Sequence, residues 1–341
     1  MQTTSPSSPR VGVLIAQLGT PEAPTKEALR PYLKEFLSDP RVIDLNPFKW
    51  LPILHLFILP RRPARSAALY RNIWLPEGSP LMVHSRAQVE GLQQRLGDRF
   101  RVILGMRYGQ PSIDAAVRTL MGEGIERILA FPMFPQFSCS TTGSLYDAIN
   151  RAAMGRRCPL FFDRRRQMPT LRFVPPYYEH PAYIDALKTT IQEDVENAGR
   201  TPDRYLITFH GIPRRYIDEG DPYRRQCETT AHLLADALEL TPEQWVLGFQ
   251  SRFGKEPWLE PYTEELLVEL GKEGVRFLEA TCPGFTADCL ETLDEVGREG
   301  ANQFRAGGGR ELRLAPCLNA HPAWLDAMDI IVRRETAGWI E

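Results

Sequence analysis

The sequence has neither a long apolar run nor a surplus of charge of one sign. Its most apolar stretch, Leu51-Pro-Ile-Leu-His-Leu-Phe-Ile-Leu59, is about half the ~18–20 residues that span a bilayer, and it carries Pro52 and His55. A transmembrane helix is therefore excluded. With 41 Lys+Arg against 43 Asp+Glu the formal charge is −2, so there is no basic footprint for nucleic acid. Cysteine is sparse: the six residues at 139, 158, 227, 282, 289 and 317 form no CxxC pair, and a chain of this length needs no disulfide staples. They read as reduced thiols of a cytoplasmic protein. The first ten residues, MQTTSPSSPR, lack the apolar core of a secretion signal and read as a loose tail. Both glycine-rich nucleotide fingerprints, GxxxxGK[ST] and GxGxxG, are missing.

What is present is an ordinary folding composition, 43% hydrophobic and 25% charged, over 341 residues, more than the ~250–300 at which a single core stops growing. Two domains are expected. Strand-length apolar runs at Val11–Gln17, Phe100–Met106, Arg127–Phe131, Leu171–Val174, Tyr205–Phe209, Trp245–Phe249, Val275–Ala280 and Glu311–Ala315 alternate with stretches of helical period. Those helical stretches are Lys26–Leu37, Ser85–Leu96, Ser112–Met121, Pro181–Asn197, Asp221–Leu238, Pro261–Lys272, Ala287–Val296 and Ala323–Arg333. The alternation predicts an α/β protein of two similar, doubly wound, Rossmann-like parallel-sheet domains facing each other across a cleft. The polar, basic stretch Met154–Pro169 divides the chain into a tail over 1–10, a domain over 11–160 and a domain over 161–341.

In open α/β sheets, ligands sit beyond the carboxyl ends of the strands. The segments there, such as Phe131-Pro-Met-Phe-Pro-Gln-Phe137, Phe249-Gln-Ser-Arg-Phe-Gly254 and Cys282-Pro-Gly-Phe285, are aromatic and poor in charge, which suits a large flat apolar ligand better than a phosphate. The hydroxyl-rich Ser138–Ser144 reads as the cap of a helix. His210 ends the β-rich run Tyr205–Phe209 and precedes Gly211-Ile-Pro213, so its imidazole stands at a strand end on a stiff turn. On the helix expected from Ala287, Asp288, Glu291, Glu295 and Glu299 recur at spacings of three, four and four. Such an acidic row is either a solvated face or a path for a divalent cation or protons.

Several motifs in one order resemble the ferrochelatase family, whose enzymes insert ferrous iron into a porphyrin to make haem. They are Leu18-Gly-Thr-Pro21, Tyr32-Leu-Lys-Glu-Phe-Leu-Ser-Asp-Pro-Arg-Val42, Gly78-Ser-Pro-Leu81, Met106-Arg-Tyr108, Phe137-Ser-Cys-Ser-Thr-Thr-Gly143 and Phe209-His-Gly-Ile-Pro213. Gly220-Asp-Pro-Tyr223, Phe249–Gly254 with Pro257-Trp258, and Cys282-Pro-Gly-Phe-Thr-Ala-Asp-Cys-Leu-Glu-Thr292 complete the set. The likeness runs from Val11 to Met328.

The resemblance implies two chelatase-type domains, with the last helix expected to pack across their boundary. It implies that His210 and Glu291 are the catalytic pair and the residues that meet the metal, without deciding which of them receives metal and which protons. Arg107, Tyr108, Phe134, Trp258, Phe285 and Asp288 are expected to line the porphyrin pocket, and Glu295 and Glu299 to form the acidic path. The segment 48–59, followed by Arg61, Arg62 and Arg65, is expected to be an apolar lip that also touches a membrane loosely. Porphyrin and Fe(II) are the expected partners, both as substrates. Some members hold a [2Fe–2S] cluster on four cysteines; here Cys139 matches one position and the C-terminal region offers only Cys317, so no cluster is expected. The expected reaction is formation of protohaem from protoporphyrin IX, with coproporphyrin III, an earlier tetrapyrrole taking cobalt, and non-catalytic tetrapyrrole binding as alternatives.

Overall fold

Val11–Gly19 (β1) is buried over almost its whole length, as a strand covered by helices on both faces must be. It begins a series that the computed structural model describes at residues 10–155, 157–158, 161–162 and 166–340. The tail before Arg10 and the Asp163–Arg165 part of the basic linker lie outside the described residues.

After β1 come α1 (Lys26–Leu37), α2 (Pro47–Ile53), a π-helical turn at Leu54–Ile58, α3 (Leu59–Ile73) and α4 (Pro80–Leu96). Then follow β2 (Phe100–Tyr108), α5 (Ile113–Gly122), β3 (Arg127–Pro132), a π-helical turn at Cys139–Gly143, α6 (Ser144–Met154), the short pair β4 (Arg157–Cys158) and β5 (Phe161–Phe162), and β6 (Thr170–Phe173). The second half contains α7 (Pro181–Ala198), β7 (Arg204–His210), α8 (Arg214–Asp218), α9 (Tyr223–Ala237), β8 (Trp245–Gln250), α10 (Thr263–Lys272) and β9 (Phe277–Thr281). A π-helix at Glu291–Gly300, α11 (Ala301–Ala306), β10 (Glu311–Leu314) and α12 (Pro322–Glu335) finish it. The strands form two four-stranded sheets, ordered β2-β1-β3-β6 and β10-β9-β7-β8, and every pairing within them is parallel. The α/β architecture read from the alternation is thus the one observed.

The boundary expected at 160/161 needs correction. β6 lies beyond it, yet pairs with β3 from Arg127↔Thr170 to Ala130↔Phe173 and so completes the first sheet. The stretch read as a linker holds the antiparallel β4–β5 hairpin, inserted in the connection from α6 to that edge strand. The halves are not loosely hinged. One continuous apolar cluster includes Val13, Phe131 and Tyr177 as well as Ile207, Phe209 and Trp324. α12 packs on both α4 and α7, and its fully buried Trp324 stands 5.9 Å from the ring of Tyr177 and 6.5 Å from that of Phe131.

The helix expected over Ala287–Val296 also differs. Asp288 precedes it, and from Glu291 the bonding is of the wider i→i+5 kind. Four-residue steps still keep Glu291, Glu295 and Glu299 near one side, but Asp288 is not part of that row.

Candidate active site

β7 ends in His210, which pairs in register with Gln250 at the end of β8. The chain then turns sharply: Gly211 N–H donates to Gln250 O at 2.8 Å, and a Cβ at Gly211 would lie 2.9 Å from that oxygen and 3.2 Å from Trp258. Only glycine fits there. His210 Nδ1 lies 2.6 Å from Gly211 O. A carbonyl can only accept, so Nδ1 carries the proton of the neutral ring and Nε2 keeps its lone pair for the cleft. Trp258 sits beside the imidazole, ring centres 6.3 Å apart, on a loop tied to the turn by Arg214 N–H to Pro257 O and Leu259 N–H to Ile212 O.

The acidic row begins beside the strand end that carries this imidazole. Gln250 Nε2 donates to Glu291 O at 2.8 Å, fixing the first turn of the π-helix against β8. One step on, Ser251 Oγ donates to Glu295 Oε2 at 2.6 Å. Burial raises the Glu295 carboxyl above its usual range and Glu291 adds to that, while the Ser251 bond and His210 pull it down. Glu295 is therefore within electrostatic reach of both His210 and Glu291. Glu299 is exposed beside Arg298. A polar cavity of about 100 Å³, lined by Ser251, Arg252, Glu264, Glu295, Glu299 and Gln303 among others, joins the last two rungs. Its volume is enough for a few waters and too small for a macrocycle. Among the described residues no three His, Cys, Asp or Glu side chains converge as a metal site of their own.

Other expected pocket residues play different parts. Asp288 is locked in the fold: its carboxylate accepts from Thr292 Oγ1 at 3.0 Å and from Asn319 Nδ2 at 2.7 Å, and it is buried. Arg107 and Tyr108 converge on Asp39, which also accepts from Ser144 Oγ. Burial opposes the Asp39 charge, but the bonds from Ser144, the Arg41 N–H, Arg107 and Tyr108 outweigh it and hold the carboxyl below its usual range. Tyr108 is wholly inaccessible, so it supports the wall and does not form its surface. Phe134 packs with the core of the first sheet, while half-buried Phe285 lies with Leu81, Ala287 and Cys289.

Sequence reasoning did not single out Asp39, although it quoted the motif containing it. It also missed Tyr32 and Tyr70, two buried phenols whose ionisation is opposed first by burial and, among smaller effects, by Glu291. Glu291 is thus within electrostatic reach of the first-half helices α1 and α3.

The 48–59 segment is helical but not core. Leu54 and Leu59 are its buried anchors; Phe48, Leu56 and Phe57 are 90%, 66% and 58% exposed. Behind it, Arg62 lies 5.2 Å from the ring of Phe253, and among the described residues neither Arg62 nor Arg65 pairs with a carboxylate. No described helix is long and apolar enough to cross a membrane.

The sequence model described as Ferrochelatase matches residues 10–336. The chain belongs to the ferrochelatase family. Members of this family are lyases that place metal in porphyrin. Similar curated ferrochelatases include that of Janthinobacterium sp. (strain Marseille), 46% identical over 98% of this chain and 89% of its own, and Ferrochelatase 1 of Shewanella oneidensis, 45% identical over 99% of both. Among solved structures, SirB from Bacillus subtilis with Fe3+ covers 97% of each chain at 13% identity with a TM-score of 0.56. CbiX, the terminal enzyme of sirohaem biosynthesis in denitrifying bacteria, covers 95% of this chain and 98% of its own at 13% identity with a TM-score of 0.51. At that identity the likeness is one of fold, and it agrees with the two-domain chelatase-type architecture.

Proposed function

We propose that the protein inserts Fe(II) into protoporphyrin IX, forming protohaem and releasing two protons. What supports this reading is the Nε2 of His210, left as the acceptor by the Nδ1 bond, at the joined ends of β7 and β8, within electrostatic reach of Glu295 and beside the Gln250 that holds Glu291 O. Metal insertion exchanges one Fe(II) for two pyrrole N–H protons, so a base of near-neutral pKa must stand over the ring. His210 takes the two pyrrole protons in turn on Nε2, passing the first to water before it accepts the second, and its Nδ1–H bond to Gly211 O holds the ring in place and stabilises the imidazolium. The cation comes from the other side, past Glu299 and Glu295 to Glu291, where carboxylate oxygens suit a weakly held divalent ion. Trp258, Phe285 and the surface backed by Arg107, Tyr108, Asp288 and Phe134 form the seat of the macrocycle.

Arg62 and Arg65 are neighbouring cations without anionic partners among the described residues, and two propionates satisfy them. The exposed apolar lip favours protoporphyrin IX, with two propionates, over the tetracarboxylate coproporphyrin III. The exposed apolar face of 48–59 takes up the substrate through loose contact with a membrane surface, the protein being otherwise cytoplasmic. A [2Fe–2S] cluster is not part of this proposal: only Cys139 and Cys317 stand at the loop and C-terminal positions, against the four thiolates a cluster needs.

The test is anaerobic incubation with Fe(II) and either porphyrin, followed by absorption. Conversion of protoporphyrin IX to its metalloporphyrin spectrum well ahead of coproporphyrin III is expected. Preference for coproporphyrin III would reverse the substrate assignment, and binding without spectral conversion would mean a tetrapyrrole carrier.

A further inference from the structure

The mouth of the cleft is bridged by a charged hook that the chemistry above does not use. Arg215 stands on α8, five residues after His210. Its guanidinium grips both oxygens of Asp44, and its Nε donates to Glu256, while Glu219 lies 3.6 Å away. Asp44 lies two residues before Asn46, the cap of α2, and Glu256 two residues before Trp258. One side chain therefore joins the base of the apolar helix, the His210 turn and the Trp258 loop. On the His210 side the joint is rigid: the turn, α8 and the Trp258 loop share the bonds Gly211 N–H to Gln250 O, Arg214 N–H to Pro257 O and Leu259 N–H to Ile212 O.

On the lip side the attachment is slight. No residue of α2 is buried, and besides its cap the helix is held by Trp50 Nε1 to Leu37 O at 2.7 Å. The Arg62–Phe253 contact joins the same two parts a little further along. Arg215 and Asp44 are each 37% exposed at the side chain, so the pair can break at small cost, while its two-pronged geometry makes the closed arrangement specific.

We propose that Arg215, through Asp44 and Glu256, is a positioning residue that hooks the lip helix to the His210 turn and so sets how firmly the cleft closes on its macrocycle. It moves neither protons nor metal. This rests on the porphyrin reading above, and it goes further by assigning retention of the porphyrin to a contact away from the reacting atoms.

The test uses Arg215→Gln, Asp44→Asn and the double variant in the full chain. Three measurements are made: porphyrin binding by fluorescence, steady-state kinetics, and amide hydrogen exchange of segment 44–58 without porphyrin. Each single variant should weaken porphyrin binding and raise its Michaelis constant about two- to fivefold with kcat changed less than about twofold. The double variant should be no worse than the poorer single, because both remove one contact. Segment 44–58 should exchange faster in all three, while the Michaelis constant for Fe(II) and the pH profile stay as in wild type. Arg215→Lys, which keeps the charge but not the fork, should recover only part of the loss. Wild-type binding and unchanged exchange in the single variants would overturn the proposal, as would losses that multiply in the double variant or a shifted pH profile. If wild-type protein fails to bind porphyrin, the functional reading falls, and the exchange measurement still decides whether the hook holds the lip.

Discussion

Ser251 Oγ reaches Glu295 Oε2 at 2.6 Å from a backbone held at φ 69°, a left-handed conformation that a serine rarely adopts. Strain of this kind persists where the surroundings over-determine it, and here it aims the one hydroxyl that stabilises the middle rung of the acidic row. Ser251→Ala removes a bond that lowers the Glu295 carboxyl, so the group becomes more protonated at neutral pH. The apparent Michaelis constant for Fe(II) should rise about three- to tenfold, more at pH ~6 than at pH ~8, with kcat little changed. An unchanged constant across that range would remove Glu295 from the cation path.

Glu279 supplies a pH prediction of a different kind. It is almost fully buried on β9, its Oε1 has no partner, and burial first, then Asp194, push its carboxyl up to about 8 against the pull of Arg313. The fold thus favours the protonated form. Its contribution is fully present below the ordinary carboxyl range and is lost as pH rises to about 8, at roughly 1.4 kcal/mol per unit of displacement. Urea unfolding of Glu279→Gln should lack this decline and should exceed wild type above pH ~8. Parallel pH profiles for the two proteins would contradict it.

Asp39 is the common acceptor for Arg107, Tyr108 and Ser144. Asp39→Asn leaves a mostly buried guanidinium without its counter-charge and should cost about 3 kcal/mol in unfolding free energy. Adding Arg107→Leu should recover part of that loss, because the stranded charge is gone. Additive losses would show that the two residues act separately.

Much of this arrangement was legible in the sequence because strands and helices carry different periods. All eight main strands and the run Lys26–Leu37 were visible in that way. β6 was placed in the wrong half because a strand's sheet partner depends on a crossover that hydrophobic pattern does not encode. The Asp288 error has a similar cause. Counting threes and fours presumes a helix already begun, whereas that carboxylate sits ahead of it and binds Asn319, thirty-one residues away. The strand-end position of His210 was legible because it closes a β-rich run before Gly-Ile-Pro. Arg215 and Asp44 were not: their meeting joins positions 171 residues apart.

Leu56 and Phe57 are exposed, and Leu54 and Leu59 anchor the same segment. Leu56→Asp and Phe57→Asp should therefore leave the melting temperature within a few degrees of wild type while weakening porphyrin uptake and liposome association. A large drop in melting temperature would mean that these side chains pack in solution.

The most direct test of the account is the turnover of His210→Ala with Fe(II) and protoporphyrin IX under anaerobic conditions, measured beside its affinity for the free porphyrin. Loss of the imidazole removes the Nε2 that lies within electrostatic reach of Glu295 and leaves Trp258 and Phe285 in place. Insertion should fall by about two to four orders of magnitude while porphyrin still binds within a few-fold of wild type. Near-wild-type insertion by this variant would contradict the assignment of His210 as the base.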